Sequence, residues 1–397
     1  PAVVVASPEQ QPVFKDFTRC PVESLDTNGR GSFTEELPDS VRQSIVSRSH
    51  DDLAAILYTS GTTGKPKGAM LSHGNLASNA RTLHELWGFV PGDVLLHSLP
   101  VFHVHGLFIA TNVAVYNGSP LLFFEKFEAR SVIEALPSAN VYMGVPTHYT
   151  RMLAEAALNT EQCTNMRLFI SGSAPLLTQT FREFEVRTGH TILERYGMTE
   201  TGMNTSNPLV GERKPGTVGP ALPNVDVRIV DDKNEPVEEG ETGSLLVTGP
   251  NVFSGYWRMP DKNLAEFTDG FFRTGDLATR DEDGYISIVG RSKDLVITGG
   301  LNVYPKEVES AIDRIAGVNE SAVIGIPHRD FGEAVTAVVV LDEDASVTED
   351  DVITHLKSTL ANFKVAKRVY FVDELPRNTM GKVQKNVLRE EYDSGAR

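Results

Sequence analysis

The sequence predicts an α/β fold: a large N-terminal domain on mostly parallel sheet, a β-rich subdomain, and a small α+β domain at the C-terminus. Three observations carry this. Residues 51–150 alternate short apolar runs with longer stretches of helical periodicity, the βα rhythm of a parallel sheet covered by helices. From about Gly211 the apolar runs become short and alternating, separated by turn-forming pairs. From about Arg291 two helical patterns return between two apolar strands.

Taken in order, the runs Leu53–Leu57, Val94–Leu99, Leu121–Phe124 and Val141–Val145 read as strands, and Asn75–Leu86 and Ser131–Leu136 as helices. The segment "MRLFISGSAPL" reads as a strand entering a Ser/Gly/Pro turn, followed by an amphipathic helix over about Thr178 to Thr188. Residues 211–290 form the β-rich subdomain, with strands over Val225–Val230, Ser244–Val247 and Tyr285–Val289. Their turns fall at Asp231-Asp232, Glu239-Gly240 and Asp283-Gly284. The predicted organisation is therefore a core of residues 1–290 and a C-terminal domain of residues 291–397, roughly a hundred residues and a common domain size. Helices are expected over Pro305–Ile315 and Thr348–Leu360, flanked by strands "SAVIGIP" and "AVTAVVVL". The acidic run "DEDASVTEDD" reads as a solvated loop and helix start.

Composition narrows the function. A chain of 397 residues, 40% hydrophobic, supports a substantial core. The net charge of −16 argues against a nucleic-acid surface, whose footprint is basic, and makes any anionic substrate depend on local Lys and Arg. Cys20 and Cys163 form no metal or redox spacing, which suits a reducing compartment. No apolar run approaches the ~20 residues that span a bilayer. The expectation is a soluble cytoplasmic protein with no membrane partner and no nucleic acid.

The densest chemical signal is "YTSGTTGKPKG", residues 58–68. As a P-loop, G-x-x-x-x-G-K-[ST], it fails twice: Pro66 follows Gly64-Lys65 where a hydroxyl is needed, and Thr59 stands where the first glycine belongs. It is a phosphate loop of another kind. Four further segments combine glycine with charge or hydroxyl in a way a packed core does not require: "SGSAPL", "ERYGMTE", "RTGDLATRDEDGYISIVGRSKD" and "NTMGKVQK". Together and in this order they resemble the AMP-forming acyl-adenylating enzymes, over essentially the whole chain from residue 51.

The resemblance implies a two-step reaction. A carboxylate attacks the α-phosphorus of MgATP to give an acyl-adenylate and pyrophosphate, and a thiol then displaces AMP. Thr59, Ser60, Gly61, Thr62, Thr63, Gly64, Lys65 and Lys67 are expected to wrap the β- and γ-phosphates, with hydroxyls, amides and two cations suited to that task. Gly172, Ser173, Ala174 and Pro175, with Tyr196 and Gly197, are expected to hold the adenine. Thr199 would meet the α-phosphate, and Glu200 would hold Mg²⁺, a hard cation that takes carboxylate and phosphate oxygens. Asp276 would accept the ribose hydroxyls, helped by Arg291. Lys382 would stabilise charge at the reacting carboxylate and α-phosphate. Lys293 sits at the family's hinge, about which a mobile C-terminal domain turns between half-reactions. Gly299-Gly300 would then leave room for the pantetheine arm of coenzyme A.

Substrate choice rests on charge. Family members that take fatty or aromatic acids carry a small residue before the Tyr-Gly pair, whereas this chain has Arg195. A guanidinium there is costly to bury unless an anion meets it. The alternative is an ion pair with Glu194 or another acid. Arg195, Arg151, His103 and Ser173 around one small acid suggest a second carboxylate on the substrate. Within the family, "LPVFHVHGLF", "GVPTHYTRML" and "RYGMTETGMNTSNP" are most similar to malonate-activating members. That implies malonate as acyl substrate and coenzyme A as acceptor, with methylmalonate as a second acid. Another short-chain acyl-CoA synthetase and an adenylation domain loading a carrier protein share the same nucleotide residues and stay open. Relatives carry roughly a hundred further residues before the phosphate loop, so the chain is expected to lack strands that shield a sheet edge.

Overall fold

The computed structural model describes residues 2–35, 45–59, 66–378 and 381–393. Two units separate, residues 1–48 and 49–397. In the smaller, strand Val4–Ala6 pairs in parallel with Val22–Ser24, and helix Gln11–Phe17 connects them. Proline in the first turn of that helix supplies a preset φ where no amide donor is needed.

The larger unit is organised by a six-stranded sheet in the order Gly202–Ser206, Ile192–Met198, Leu168–Ser171, Val141–Gly144, Leu95–His97, Leu121–Phe123. Every neighbouring pair is parallel except the first. Strand periodicity explains the composition. Leu95, Val141, Leu168 and Leu193 face one core with Leu83 and Trp87, while Leu96, Tyr142, Phe169 and Ile192 face the other with Phe181 and Phe184. Both faces are covered by helices, including His73–Leu86, Ala129–Ala135, Pro146–Ala154 and Thr178–Thr188. Ser72 and Asn75 close the start of the first of these with a reciprocal capping box.

One strand departs from expectation. Leu53–Thr59 pairs antiparallel with Lys67–Ser72 in a separate hairpin rather than joining the parallel sheet. The apolar run alone could not distinguish these fates, because it does not encode which strand it pairs with.

The β-rich subdomain is a five-stranded antiparallel sheet of Asp226–Val230, Gly243–Thr248, Phe271–Arg280, Phe267–Thr268 and Ile286–Arg291. The C-terminal part centres on the hairpin Val318–His328 with Gly332–Leu341. Strand Arg368–Phe371 joins it in parallel, and Val296–Thr298 and Leu301–Val303 complete the sheet. Its valines split by alternation, Val335 and Val339 into one cluster, Val338 and Val340 into another. The acidic run begins helix Glu349–Thr359, capped by Thr348, with Glu349, Asp350 and Asp351 at its positive end. Among the described residues no helix is long and apolar enough to cross a membrane.

Candidate active site

Parallel strands deliver their following loops to one edge of the sheet, where open α/β folds bind ligands. Strand Leu168–Ser171 runs into Gly172–Pro175, and Ile192–Met198 into Thr199 and Glu200. Strand Val141–Gly144 leads into helix Pro146–Ala154, and Leu95–His97 into the segment bearing His103 and His105. Four of the expected segments therefore converge on one edge.

At the centre lies Arg195, 2% exposed. Adjacent strand residues point to opposite faces, so it cannot pair with Glu194, whose Oε1 accepts the Leu176 amide at 3.1 Å. Nε and Nη2 of Arg195 are buried with no hydrogen-bond partner among the described residues. Burial pushes this guanidinium down to about 9, still cationic at neutral pH. Gly172 allows the close approach: a Cβ there would run into the guanidinium. The next residue, Ser173, holds φ at 73°, a left-handed value uncommon outside glycine, and its Oγ shares a 3.2 Å hydrogen bond with His105 Nδ1.

His105 is 1% exposed. Burial, then the charges of Arg195 and the neighbouring histidines, hold it well below its usual range, so it is neutral. Its Nε2 and that of His103 are buried without described partners. His103 is lowered first by burial and then by Lys382. Arg195, His105, Ser173 and His103 thus form a polar cluster with unmet hydrogen-bonding capacity. Arg151 is not brought into it by any described contact. It stands exposed on its helix, and its charge is felt by His148.

The residues expected at the nucleotide assemble beside this cluster. Tyr196 donates its O–H to Asp276 Oδ2 at 2.5 Å, and Arg291 Nε meets Oδ1 at 2.6 Å. Antiparallel pairing sets Asp276 opposite Arg291. That ion pair is the first cause holding the Arg291 guanidinium above its ordinary value. Gly197 leaves space for the backbone of Gly202, where a Cβ would clash. Thr199 lies half-buried in the turn before Glu200. Ala174 and Pro175 complete the turn after Ser173.

Lys382 follows a turn in which Gly381 and Asn378 are hydrogen-bonded and Lys382 N donates to Asn378 Oδ1 at 3.0 Å. Gly381 sits against Thr147, at the start of helix Pro146–Ala154. Lys382 is exposed to solvent, and its ammonium is lowered by the surrounding protein and then by Arg291, opposed by Asp276 and Glu200.

Of the phosphate loop, Thr59 and Lys67 are seated opposite each other at the two ends of the hairpin. Thr59 Oγ1 is buried with no partner among the described residues. Ser60, Gly61, Thr62, Thr63, Gly64 and Lys65 lie outside the described residues. Glu200 is 4% exposed and, among the described residues, accepts one hydrogen bond, from Tyr256 O–H at 2.8 Å. An ionised carboxylate offers about four acceptor sites, so the remaining lone pairs fit a hard divalent cation.

Lys293 lies in the turn Ser292–Asp294, which Arg389 anchors through a 2.7 Å ion pair to Asp294. Gly299 and Gly300, φ 59° and 77°, form the tight turn between Val296–Thr298 and Leu301–Val303. Left-handed backbone at both positions is a structural reason for glycine there. Sequence reasoning missed Tyr256, and it missed the buried amides that brace the Glu200 turn. Asn251 Nδ2 donates to Thr201 and Met203 carbonyls at 2.8 and 3.1 Å, and Asn79 Nδ2 to Met203 at 3.0 Å. No local motif marks them, since their partners are distant in the chain.

An open α/β sheet with buried Asp276 and Glu200 near Lys382 has the architecture of an enzyme that binds its ligands at the carboxyl edge of the sheet. The chain belongs to the AMP-binding enzyme family: the family model matches residues 4–257, and that of the AMP-binding enzyme C-terminal domain matches residues 307–382. A malonate–CoA ligase of Arabidopsis thaliana is 39% identical over 87% of this chain and 61% of its own. An indoleacetate–CoA ligase of Aromatoleum aromaticum is 38% identical over 84% of this chain and 66% of its own. The crystal structure of ATP-bound MatB from Rhodopseudomonas palustris superposes with a TM-score of 0.97 at 54% identity, over 100% of this chain and 80% of that one. The chain spans about three fifths of the curated relatives it matches, 62% and 61% for the first two.

Proposed function

We propose that the protein is an AMP-forming malonate–CoA ligase using ATP, Mg²⁺ and coenzyme A. The observation that carries this is Arg195, a buried guanidinium with two open donor nitrogens beside neutral His105. Relatives at 39% and 38% identity are named for acids as different as malonate and indoleacetate, so family membership alone does not choose the acid. Charge does. A monocarboxylic acid would leave Arg195 buried and unpaired, whereas malonate brings one carboxylate to react and a second to meet the guanidinium. Methylmalonate presents the same pair with one added methyl group.

In the proposed first step a carboxylate oxygen of malonate attacks the α-phosphorus of ATP. A bond forms from that oxygen to phosphorus, the bond to the β-phosphate bridging oxygen breaks, and pyrophosphate leaves. Arg195 and His105 hold the distal carboxylate, fixing the reactive one for attack. Asp276 holds the ribose, with Tyr196 and Arg291 fixing its oxygens, and Gly172–Pro175 with Tyr196 and Gly197 line the base. Lys382 offers a cation to charge developing at the α-phosphate beside Thr199. Mg²⁺, held by Glu200, would neutralise phosphate charge when bound. The phosphate loop, with Thr59 and Lys67 at its ends, would grip the leaving pyrophosphate.

In the second step the coenzyme A sulfur attacks the acyl carbonyl, the bond to the AMP oxygen breaks, and the thiol proton passes to solvent. We assign the boundary between core and C-terminal domain to residues 290 and 291, with Lys293 as the pivot that withdraws Lys382 and presents Gly299-Gly300. With Cys20 and Cys163 free, a reducing cytoplasmic setting accords with this chemistry.

The test is product analysis. With malonate, ATP, Mg²⁺ and coenzyme A, equal amounts of malonyl-CoA, AMP and pyrophosphate should form. ADP in place of AMP, or adenylate formation without any thioester from coenzyme A, would overturn the assignment.

A further inference from the structure

Tyr256 lies at the meeting point of two chain segments that the reaction must coordinate. It is 1% exposed. Its O–H donates to Glu200 Oε1 at 2.8 Å, and Lys67 Nζ donates to its oxygen at 3.2 Å. The Lys67 ammonium also stands 4.4 Å from the centroid of the Tyr256 ring. Lys67 closes the phosphate loop and opens strand Lys67–Ser72. The three side chains form one polarised relay, ammonium to phenol to carboxylate, in which each donor strengthens the next.

The backbone is built to hold this relay. The segment carrying Tyr256 runs beside strand Lys67–Ser72, with Met70 N donating to Gly255 O at 3.0 Å and Trp257 N to Gly68 O at 2.8 Å. Phe253 N donates to the carbonyl of Glu200 itself at 2.8 Å. Asn263 brackets Tyr256, accepting its amide at 2.7 Å and donating to its carbonyl at 3.1 Å. A core tyrosine needs only its ring packed, as this one is against Phe253 at 4.9 Å. The phenolic oxygen is a separate feature, placed between a cation and the proposed metal carboxylate.

We propose that Tyr256 is a positioning residue for the adenylation step. It fixes one oxygen of Glu200 so that the remaining lone pairs face the metal, and it ties that carboxylate through Lys67 to the strand that leaves the phosphate loop. Carboxylates that hold metals are commonly oriented in this way by a neighbouring donor. The inference rests on Glu200 being the metal carboxylate.

The experiment measures ATP binding by calorimetry across a Mg²⁺ titration and in EDTA, for the whole chain and its variants. Tyr256→Phe keeps the ring and removes only the hydroxyl. It should leave the unfolding temperature and the EDTA affinity near the parent values and raise the Mg²⁺ midpoint roughly tenfold or more. Glu200→Gln should abolish most of the Mg²⁺ gain. Lys67→Met approaches the relay from its other end and should raise the same midpoint. Combining it with Tyr256→Phe should shift that midpoint by less than the product of the single changes, because both act through one relay. A normal Mg²⁺ midpoint in Tyr256→Phe, with Glu200→Gln impaired, overturns the inference alone. A normal midpoint in Glu200→Gln overturns the metal assignment beneath it as well.

Discussion

The backbone of Gly172 lies directly against the guanidinium of Arg195, leaving no room for a β-carbon. One residue type in a turn thus sets the position of the only charge buried in the proposed acid pocket, among the described residues. Gly172 does not adopt a left-handed φ, so the backbone itself would accept alanine and any strain must come from the arginine. Gly172→Ala should raise the KM for malonate by about 10- to 100-fold, since a displacement near 1 Å has effects of that size. Because Gly172 also belongs to the turn proposed to line the base, the KM for ATP should rise too, by a smaller factor. Steady-state kinetics with each substrate varied in turn separates the two.

Removing the charge should separate activity from stability. A lone buried cation opposes folding, while the same cation bound to an anion is worth several kcal/mol. Arg195→Met should lower kcat/KM for malonate by about two to three orders of magnitude, the loss of ~3–4 kcal/mol. The ligand-free variant should unfold at the parent temperature or higher. Calorimetric melting without substrate reads the second outcome; a large drop in melting temperature would mean that Arg195 has a partner in the free protein.

Glu194 supplies a pH signature. Burial pushes its carboxyl up from 4.5 to about 8, partly offset by the Leu176 amide. The folded value lies above the unfolded one, so the native state keeps a proton that the unfolded chain releases, and stability falls as pH rises between them. Glutamine keeps the acceptor for Leu176 and does not titrate. Glu194→Gln should match the parent near pH 4 and exceed it increasingly up to pH 8, by on the order of 3 kcal/mol at pH 7. Denaturant melts across this range test the trend; a gain independent of pH would contradict it.

Lys382 should act in one half-reaction. Its ammonium feels Arg291, Asp276, Glu200 and Arg195, all on the adenylation side. Lys382→Ala should slow pyrophosphate release by about 10²- to 10³-fold, the range for removing one preorganised electrostatic group. Thioester formation from supplied malonyl-adenylate should stay near the parent rate. Equal losses in both assays would refute the division of labour.

Much of this was readable from the residues because it is written locally. Period-two alternation in Leu95-Leu96 and Phe169-Ile170 marks a sheet buried on both faces. The Gly-Ser-Ala-Pro turn follows one strand, and Tyr-Gly-Met-Thr-Glu spans the end of the next, where the proposed chemistry is placed. What escaped depends on contacts between distant segments. The Tyr256 phenol meets a carboxylate 56 positions away. The pairing of Leu53–Thr59 with Lys67–Ser72, outside the main sheet, is a choice of neighbours that an apolar run does not encode. Arg195 was visible as an oddity of sequence, but only the fold shows that Glu194 points elsewhere and leaves it alone.

The most direct test of the central claim compares acids. Pyrophosphate release with ATP and Mg²⁺ should be measured for acetate, malonate, methylmalonate, succinate and benzoate, each over a full concentration range. The pocket around Arg195 predicts the highest kcat/KM for malonate, methylmalonate next, and acetate lower by about 10²-fold or more, as expected when a buried polar group is left unpaired. An acetate value equal to or above that of malonate would contradict the account.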